Sequence, residues 1–264
     1  MTADVAFETH FNTSDTTHSS ASQRVREMSE KWAGRNLRCP ECSQGLDRVP
    51  ANQPSLDLRC VSCDLQFELK CKRLGPQRRP TRKIIGASYE KTVLRTSAPD
   101  SPSLFFIEYD ATSLEVIRVT LYPRQYFVAS VLRKRNRLSA TARRPFWVGC
   151  TIHLDQIPAL GHIRVLEVGK VMLNHPLREA WRASSFLHEI SDTRRRAWLI
   201  DVMRVVQMLP SDFTLKDVYA HADALAALHP ENLHVNAKIR QQLQVLRDNE
   251  QLTFLGGGRY QSLN

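Results

Sequence analysis

Four cysteines constrain this chain more than any other feature. Cys39 and Cys42 lie in "RCPEC" and Cys60 and Cys63 in "RCVSC", together spelling C-x2-C-x17-C-x2-C. Each CxxC turn can offer two thiolates to one ion, and two such turns complete a tetrahedral four-sulfur site. The spacer of 17 residues suits a zinc ribbon. A redox pair or an iron–sulfur cluster could use the same residues, but nothing around them points to electron transfer. Four protein ligands leave no open coordination position, so the expected Zn2+ is structural. Cys71 and Cys150 fall outside the pattern and read as small buried apolar residues.

A length of 264 residues suits one large or two modest domains. With 42% hydrophobic and 24% charged residues, the composition is that of a soluble globular protein. No apolar run approaches the ~20 residues of a membrane span. The N-terminus has no basic segment followed by an apolar one, so a secretory signal is not expected. These features predict a cytoplasmic protein with no membrane partner.

The net charge of +10 is unevenly placed. Residues 70–196 carry 24 Lys/Arg against 10 Asp/Glu, while both flanking segments are slightly acidic. Two runs contain no acid: "KCKRLGPQRRPTRK" (70–83), with seven bases, and "VLRKRNRLSATARR" (131–144), with six. Such clusters attract a polyanion, and nucleic acid is the usual one.

Residues 1–22 are rich in Ser and Thr and are expected to form a mobile tail. Val25, Met28 and Trp32 predict a helix over 21–33, with Ser22 as its N-cap. After the cysteines come runs rich in β-branched and aromatic residues: 103–110, 114–123, 146–154 and 162–171. Between the basic loop and these runs, 86–96 predicts a helix. Three amphipathic helices follow, at 197–209, 211–228 and 236–250, then a strand–glycine turn–strand over 252–263. Three helices and a small hairpin are the order of a winged helix-turn-helix.

Asp57, Glu68 and Lys70 spell D-x10-E-x-K. If 65–71 is a strand, Glu68 and Lys70 project from one face, while Phe67 and Leu69 anchor the other. A preceding strand over 55–59 would bring Asp57 beside Glu68. Two carboxylates and a backbone carbonyl such as that of Leu69 suit Mg2+. Lys70 would then orient or help deprotonate an attacking water in phosphodiester hydrolysis. Solvated charges on one strand face are the plainer alternative.

With these residues in view, the chain resembles the methyl-directed restriction endonucleases typified by DpnI, the group that includes the Dam-replacing proteins. The resemblance runs from about His10 to Tyr260. It is carried by "RCPEC", "LDLRCVSC", "FELK", "LSATARRPFWVGCTIHLDQIP", "KIRQQLQVLRDNE" and "GGGRY". It implies an α/β PD-(D/E)xK nuclease fold with a structural zinc ribbon over 23–185, then an α+β winged helix-turn-helix domain over 186–264. It also implies a bacterial, Mg2+-dependent type II site-specific deoxyribonuclease, expected to be monomeric. Its partner would be double-stranded DNA with an N6-methylated adenine in GATC. The metal-binding acids fall on Asp57 and Glu68, and the lysine on Lys70. The zinc ligands fall on Cys39, Cys42, Cys60 and Cys63. Trp147, with Arg143 and Arg144 beside it, falls in the segment implicated in methyl sensing. The recognition helix falls on about 236–249, so Asn236, Lys238, Arg240, Gln241, Arg247 and, on the hairpin, Arg259 are expected to meet DNA. The basic loop 74–82 departs from the family's pattern. A zinc-ribbon and winged-helix transcription regulator without catalysis would share the zinc, the bases and the C-terminal domain. It would leave Asp57, Glu68 and Lys70 unexplained.

Overall fold

The apolar runs bury themselves as two separate sets of strands and helices. The computed structural model describes residues 7–50, 56–98, 100–167, 169–172 and 174–263. Along the chain run α1 (Ala21–Asn36), β1 (Asp47–Arg48), β2 (Leu58–Arg59), β3 (Gln66–Arg73), β4 (Lys83–Ser88), α2 (Tyr89–Ser97), β5 (Ser103–Tyr109) and β6 (Val116–Tyr122). There follow β7 (Leu132–Lys134), β8 (Gly149–His153), β9 (Ile163–Glu167), β10 (Lys170–Val171), α3 (His175–Ala183) and α4 (Thr193–Met208). The C-terminal part holds β11 (Asp212–Thr214), α5 (Leu215–Tyr219), α6 (Ala222–Leu228), α7 (Val235–Asp248), β12 (Leu252–Gly256) and β13 (Arg259–Ser262). Among the described residues, no helix is long and apolar enough to cross a membrane.

Two compact units result, and neither is continuous in sequence. One takes the chain up to Arg82, then Ala98–Arg124 and Leu160–Ser185; the other takes Lys83–Ser97, Gln125–Ala159 and Phe186 onward. The first unit is a seven-stranded sheet in the order β1-β2-β3-β5-β6-β9-β10. β3 and β5 run parallel, and the other neighbours are antiparallel. Every residue of β5 is buried, which explains its near-continuous apolar run. Met28, Trp32 and Ala33 of α1 and Leu177 and Trp181 of α3 enter the same core as Phe67, Phe105 and Ile107.

The second unit holds a sheet in the order β4-β8-β7 and another in the order β11-β13-β12. The helices α4 to α7 accompany the latter, giving the order helix–strand–helix–helix–helix–hairpin of a winged helix with a divided second helix. α4 is its central helix, burying eight residues from Trp198 to Val206. Buried Asp201 on α4 accepts from Ser130 Oγ at 2.7 Å, pairs with Arg204 at 3.1 Å and meets His229 Nε2 at 2.9 Å.

Several sequence expectations change. Residues 1–6 lie outside the described residues, and within the tail expected to be mobile Phe7, Glu8, Phe11 and Asp15 engage α1. Phe7 and Phe11 set their rings edge-on to Trp32, and Arg35 binds both Glu8 and Asp15. Two aromatic anchors outweigh the polar composition around them. The first helix is capped at Ser20 rather than Ser22. The helix predicted over 86–96 starts at Tyr89, because Lys83–Ser88 pairs with β8. The strand predicted over 146–154 is confined to Gly149–His153, and that over 162–171 is two strands, with Val168 outside the described residues. The helix predicted over 211–228 divides into β11, α5 and α6, since a Thr214–Asp217 capping box restarts the backbone after the strand.

One buried charge pair holds the middle of the large sheet. Glu108 on β5 is 2% exposed, accepts from the Thr81 N–H at 2.7 Å and pairs with Arg118 on β6 at 2.7 Å. Arg118→Ala would leave that carboxylate buried without its cation, at a cost of about 3–5 kcal/mol. Urea unfolding should show this loss, and Glu108→Gln/Arg118→Met should recover most of it. A loss below ~1 kcal/mol in the single variant would contradict the role given to the pair.

Candidate active site and zinc centre

The two CxxC segments fold into matching turns. In the first, Ser43 N–H donates to the Cys39 carbonyl at 2.9 Å and Cys39 N–H to the Gln44 carbonyl at 2.8 Å. In the second, Asp64 N–H donates to the Cys60 carbonyl and Cys60 N–H to the Leu65 carbonyl, both at 2.9 Å. The residue after each second cysteine takes a left-handed conformation, with φ of 63° at Ser43 and 61° at Asp64. The four sulfurs lie within 4.8 Å of one another, with Cys39–Cys63 at 3.3 Å and Cys42–Cys60 at 3.4 Å. Tetrahedral sulfurs about 2.3 Å from one Zn2+ would be roughly 3.8 Å apart, so this donor set fits the ion. Burial pushes the Cys39 thiol up and the Cys63 thiol to about 11. Burial acts on Cys60 too, but the N–H groups of Cys63 and Ser62 together with the Cys42 and Cys63 thiols outweigh it and hold that thiol below its usual value. Glu41, inside the first turn, accepts from Trp181 Nε1 at 2.9 Å and so ties α3 to the knuckle.

The same turns bracket the carboxylates. Asp57 lies in the ladder through its backbone, donating to the Phe67 carbonyl and accepting from Val49 N–H, both at 3.0 Å. Of the strand predicted over 55–59, Leu58 and Arg59 are assigned to β2, and Ser55 lies outside the described residues. Leu58 faces Phe67 in register and both are fully buried. Alternation therefore turns Asp57 and Glu68 toward the other face. There Asp57 Oδ2 accepts from Leu69 N–H at 2.8 Å, and Lys70 Nζ pairs with Glu68 Oε1 at 2.7 Å. The N–H and C=O of one strand residue point the same way, so the Leu69 carbonyl faces the Asp57 edge.

The sequence reading missed α1's part in this site. Glu30 is bound by Arg26 at 2.6 Å and by Arg48 at 2.8 Å, and Arg26 also reaches Asp57 at 3.9 Å. Burial raises the Asp57 pKa most; the Leu69 N–H opposes it, Glu30 and Glu68 raise it further, and Arg26 lowers it. The signal was an Arg–Glu pair at i,i+4 on a helix whose next residues bury, which alone says nothing about where that face docks.

The expected DNA contacts sit on the second unit. On α7, Asn236, Arg240, Gln241 and Arg247 are exposed, opposite buried Ile239, Leu243 and Leu246. Lys238 is half-buried and donates to Gln241 at 2.8 Å, while Arg247 is paired with Asp248 at 2.8 Å. Arg259 is exposed on the hairpin, beside Gly256, Gly257 and Gly258, all at positive φ. Arg143 and Arg144 are exposed in the loop before β8. Trp147 is half-buried, its ring lying 2.7 Å from where a Cβ on Gly149 would stand.

Two outcomes test this geometry. Removing the metal should lower the melting temperature and expose four thiols to alkylation, because a structural Zn2+ contributes folding free energy. Binding must displace thiol protons, so zinc affinity should fall as pH falls; equal melting of stripped and loaded protein would overturn the four-cysteine site. For Asp57 the raised pKa means that stability falls as pH rises from the unfolded-state value through the folded-state value, and the full cost is present above it. Metal-free Asp57→Asn should therefore melt higher than the wild type near neutral pH. The gap should close in acid, where Asp57 is protonated, and a lower melting temperature at neutral pH would contradict the charge crowding.

The model of the DpnI Dam-replacing family matches residues 7–190, and the model of the Dam-replacing HTH domain matches residues 194–262. The first match covers the sheet, both cysteine knuckles and Asp57, Glu68 and Lys70; the second covers the winged helix. The chain thus belongs to the DpnI Dam-replacing family, with that family's helix-turn-helix domain at its C-terminal end.

Proposed function

We propose that the protein is a methyl-directed type II restriction endonuclease that hydrolyses duplex DNA at GATC sites carrying N6-methyladenine. In this reading 23–185 is a PD-(D/E)xK catalytic domain and 186–264 a winged-helix reader, acting as a monomer in the bacterial cytoplasm. What supports it most is that Asp57 accepts from the Leu69 N–H, between Glu68 and its partner Lys70 on β3, and feels the Glu68 charge, in a chain of the DpnI Dam-replacing family.

Two carboxylates and a strand carbonyl are hard oxygen donors, which suit Mg2+ and leave room for its waters. Asp57, Glu68 and the Leu69 carbonyl would hold it. Bound there, the ion would polarise the scissile phosphate and lower the pKa of a coordinated water. Asp57 is held in place for this by the Leu69 N–H, and Glu68 by Lys70. Lys70 is the cation of the set: its ammonium group would orient the attacking water and offset negative charge developing on the phosphate oxygens. Zinc at the four cysteines would have no part in the reaction beyond fixing the strands.

Recognition would belong to α7 and to the segment around Trp147. The N6 position of adenine faces the major groove, where an α-helix can reach it. Burying one methyl group is worth only about 0.8 kcal/mol, so strong discrimination needs more than one contact or a clash against unmodified DNA. Asn236, Arg240 and Gln241 are exposed on the helix for base edges, while Lys238, Arg259, Arg143 and Arg144 would serve phosphates.

Incubating the protein and Mg2+ with one plasmid, prepared with and without adenine methylation at GATC, tests this reading. Cleavage confined to the methylated form is expected. Equal cutting of both forms would point to a nuclease blind to methylation, and binding without cutting to a regulator. Lys70→Ala should abolish cleavage and leave DNA binding largely intact; full activity in that variant would remove Lys70 from the mechanism.

A further inference from the structure

The loop between β7 and β8 carries an aromatic side chain that neither the core nor the zinc site accounts for. Phe146 is 58% exposed and its backbone sits at φ 62°, a left-handed conformation that a bulky side chain rarely adopts. The loop is nonetheless closed by its own backbone: Arg135 N–H donates to Gly149, Leu138 N–H to Trp147, and Phe146 N–H to Leu138. Leu138, held opposite Phe146 by that last bond, is 40% exposed. Trp147 behaves differently, since it is half-buried and its ring lies down against Gly149.

The surroundings of Phe146 are all of one sign. No Asp or Glu occurs from Val116 to Leu154. Arg135, Arg137, Arg143 and Arg144 are exposed around the two apolar side chains, and the Arg137 guanidinium lies 5.7 Å from the Phe146 ring centre. Folding alone favours neither an exposed aromatic ring nor its strained backbone, and such strain concentrates at ligand-contacting positions. A polyanion with apolar layers inside matches the pattern of arginines around an apolar tip: phosphates would meet the arginines, and stacked bases the ring.

We infer that Phe146, backed by Leu138, is an apolar wedge that enters the base stack of a bound DNA duplex while the loop arginines hold the flanking phosphates. This rests on the reading of the protein as a duplex-DNA nuclease and adds a contact to it: Trp147 braces the loop, and its neighbour does the inserting.

The test uses the full chain with Ca2+ in place of Mg2+ and methylated GATC duplexes carrying 2-aminopurine at successive positions. Unstacking by the wedge should brighten the fluorophore at one step when the wild type binds. Phe146→Ala should abolish that rise and weaken binding by about tenfold, while Phe146→Trp keeps both. The melting temperature of Phe146→Ala should be unchanged or higher, since the variant loses an exposed ring at a strained position. Wild-type binding with no brightening at any position overturns the wedge alone, as does a Phe146→Ala variant that binds and brightens like the wild type. A lower melting temperature in Phe146→Ala also overturns it, because the ring would then be structural. Wild type that binds no duplex overturns the nuclease reading and the wedge together.

Discussion

The alternation of side chains along Gln66–Arg73 governs most of the first unit. Phe67 buries fully in the core, so Glu68 and Lys70 must face the other way. A slip of one residue against β2 would exchange the two sets, placing a charge in the core and an aromatic ring in the site. The cysteine turns oppose that slip. The second knuckle closes between Cys60 and Leu65, inside the β2–β3 connection, and the first closes beside β1, the next strand outward. An ion on four sulfurs from both knuckles would therefore lock the register of three strands. Its contribution to the carboxylate geometry is mechanical, made through backbone hydrogen bonds to Asp57 on both sides.

The site fixed in this way is electrostatically uncomfortable. Asp57 is half-buried, with Glu30 and Glu68 near enough to raise its pKa. Arg26, the nearest opposing side chain, is 3.9 Å away and already committed to Glu30 at 2.6 Å. Were the site built only for stability, a guanidinium bidentate on Asp57 would be the simple solution. The structure instead leaves the strongest cation pairing to Glu30, which Arg26 and Arg48 share. Crowded carboxylates held by a stiff strand and a helix are what a divalent ion relieves, which accords with the oxygen donor set at Leu69 and Glu68.

Legibility in the sequence followed the range of the interaction that made each element. The cysteine turns, β3 and α7 are specified by neighbours a few residues apart, so spacing and periodicity found them. The Glu30–Arg48 pair and the docking of Phe7 and Phe11 on Trp32 span long separations, and no local pattern announces them. A Ser/Thr-rich stretch looks mobile until a distant tryptophan gives its two aromatic residues a place to bury. The strand predicted over 146–154 groups with those at 103–110, 114–123 and 162–171 because their compositions match, while β4 and β7, in or beside the basic runs, give no strand signal. Composition states that a strand will bury and leaves its partners open, and here β8 pairs with β4 and β7 in the second unit.

That partition matters for how the loop bearing Trp147 and Phe146 is held. It springs from β7 and β8, and just before β7 lies Ser130, whose hydroxyl donates to Asp201 at 2.7 Å. The same carboxylate takes Arg204 from its own helix and His229 from the end of α6, and His229 stacks on Trp198 at 4.1 Å. Asp201 is 2% exposed, so any partner withdrawn leaves a buried acceptor short of a donor at considerable cost. Such a network has one satisfied arrangement, which joins the segment leading into the loop to the central helix of the winged domain. α7 packs on that same helix through Ile239, Leu243 and Leu246. The loop and α7 are therefore carried by one framework. If α7 and this loop read DNA as proposed, discrimination of a methyl group worth little by itself would require their positions to be set before the DNA arrives, and the buried polar junction at Asp201 would supply that rigidity.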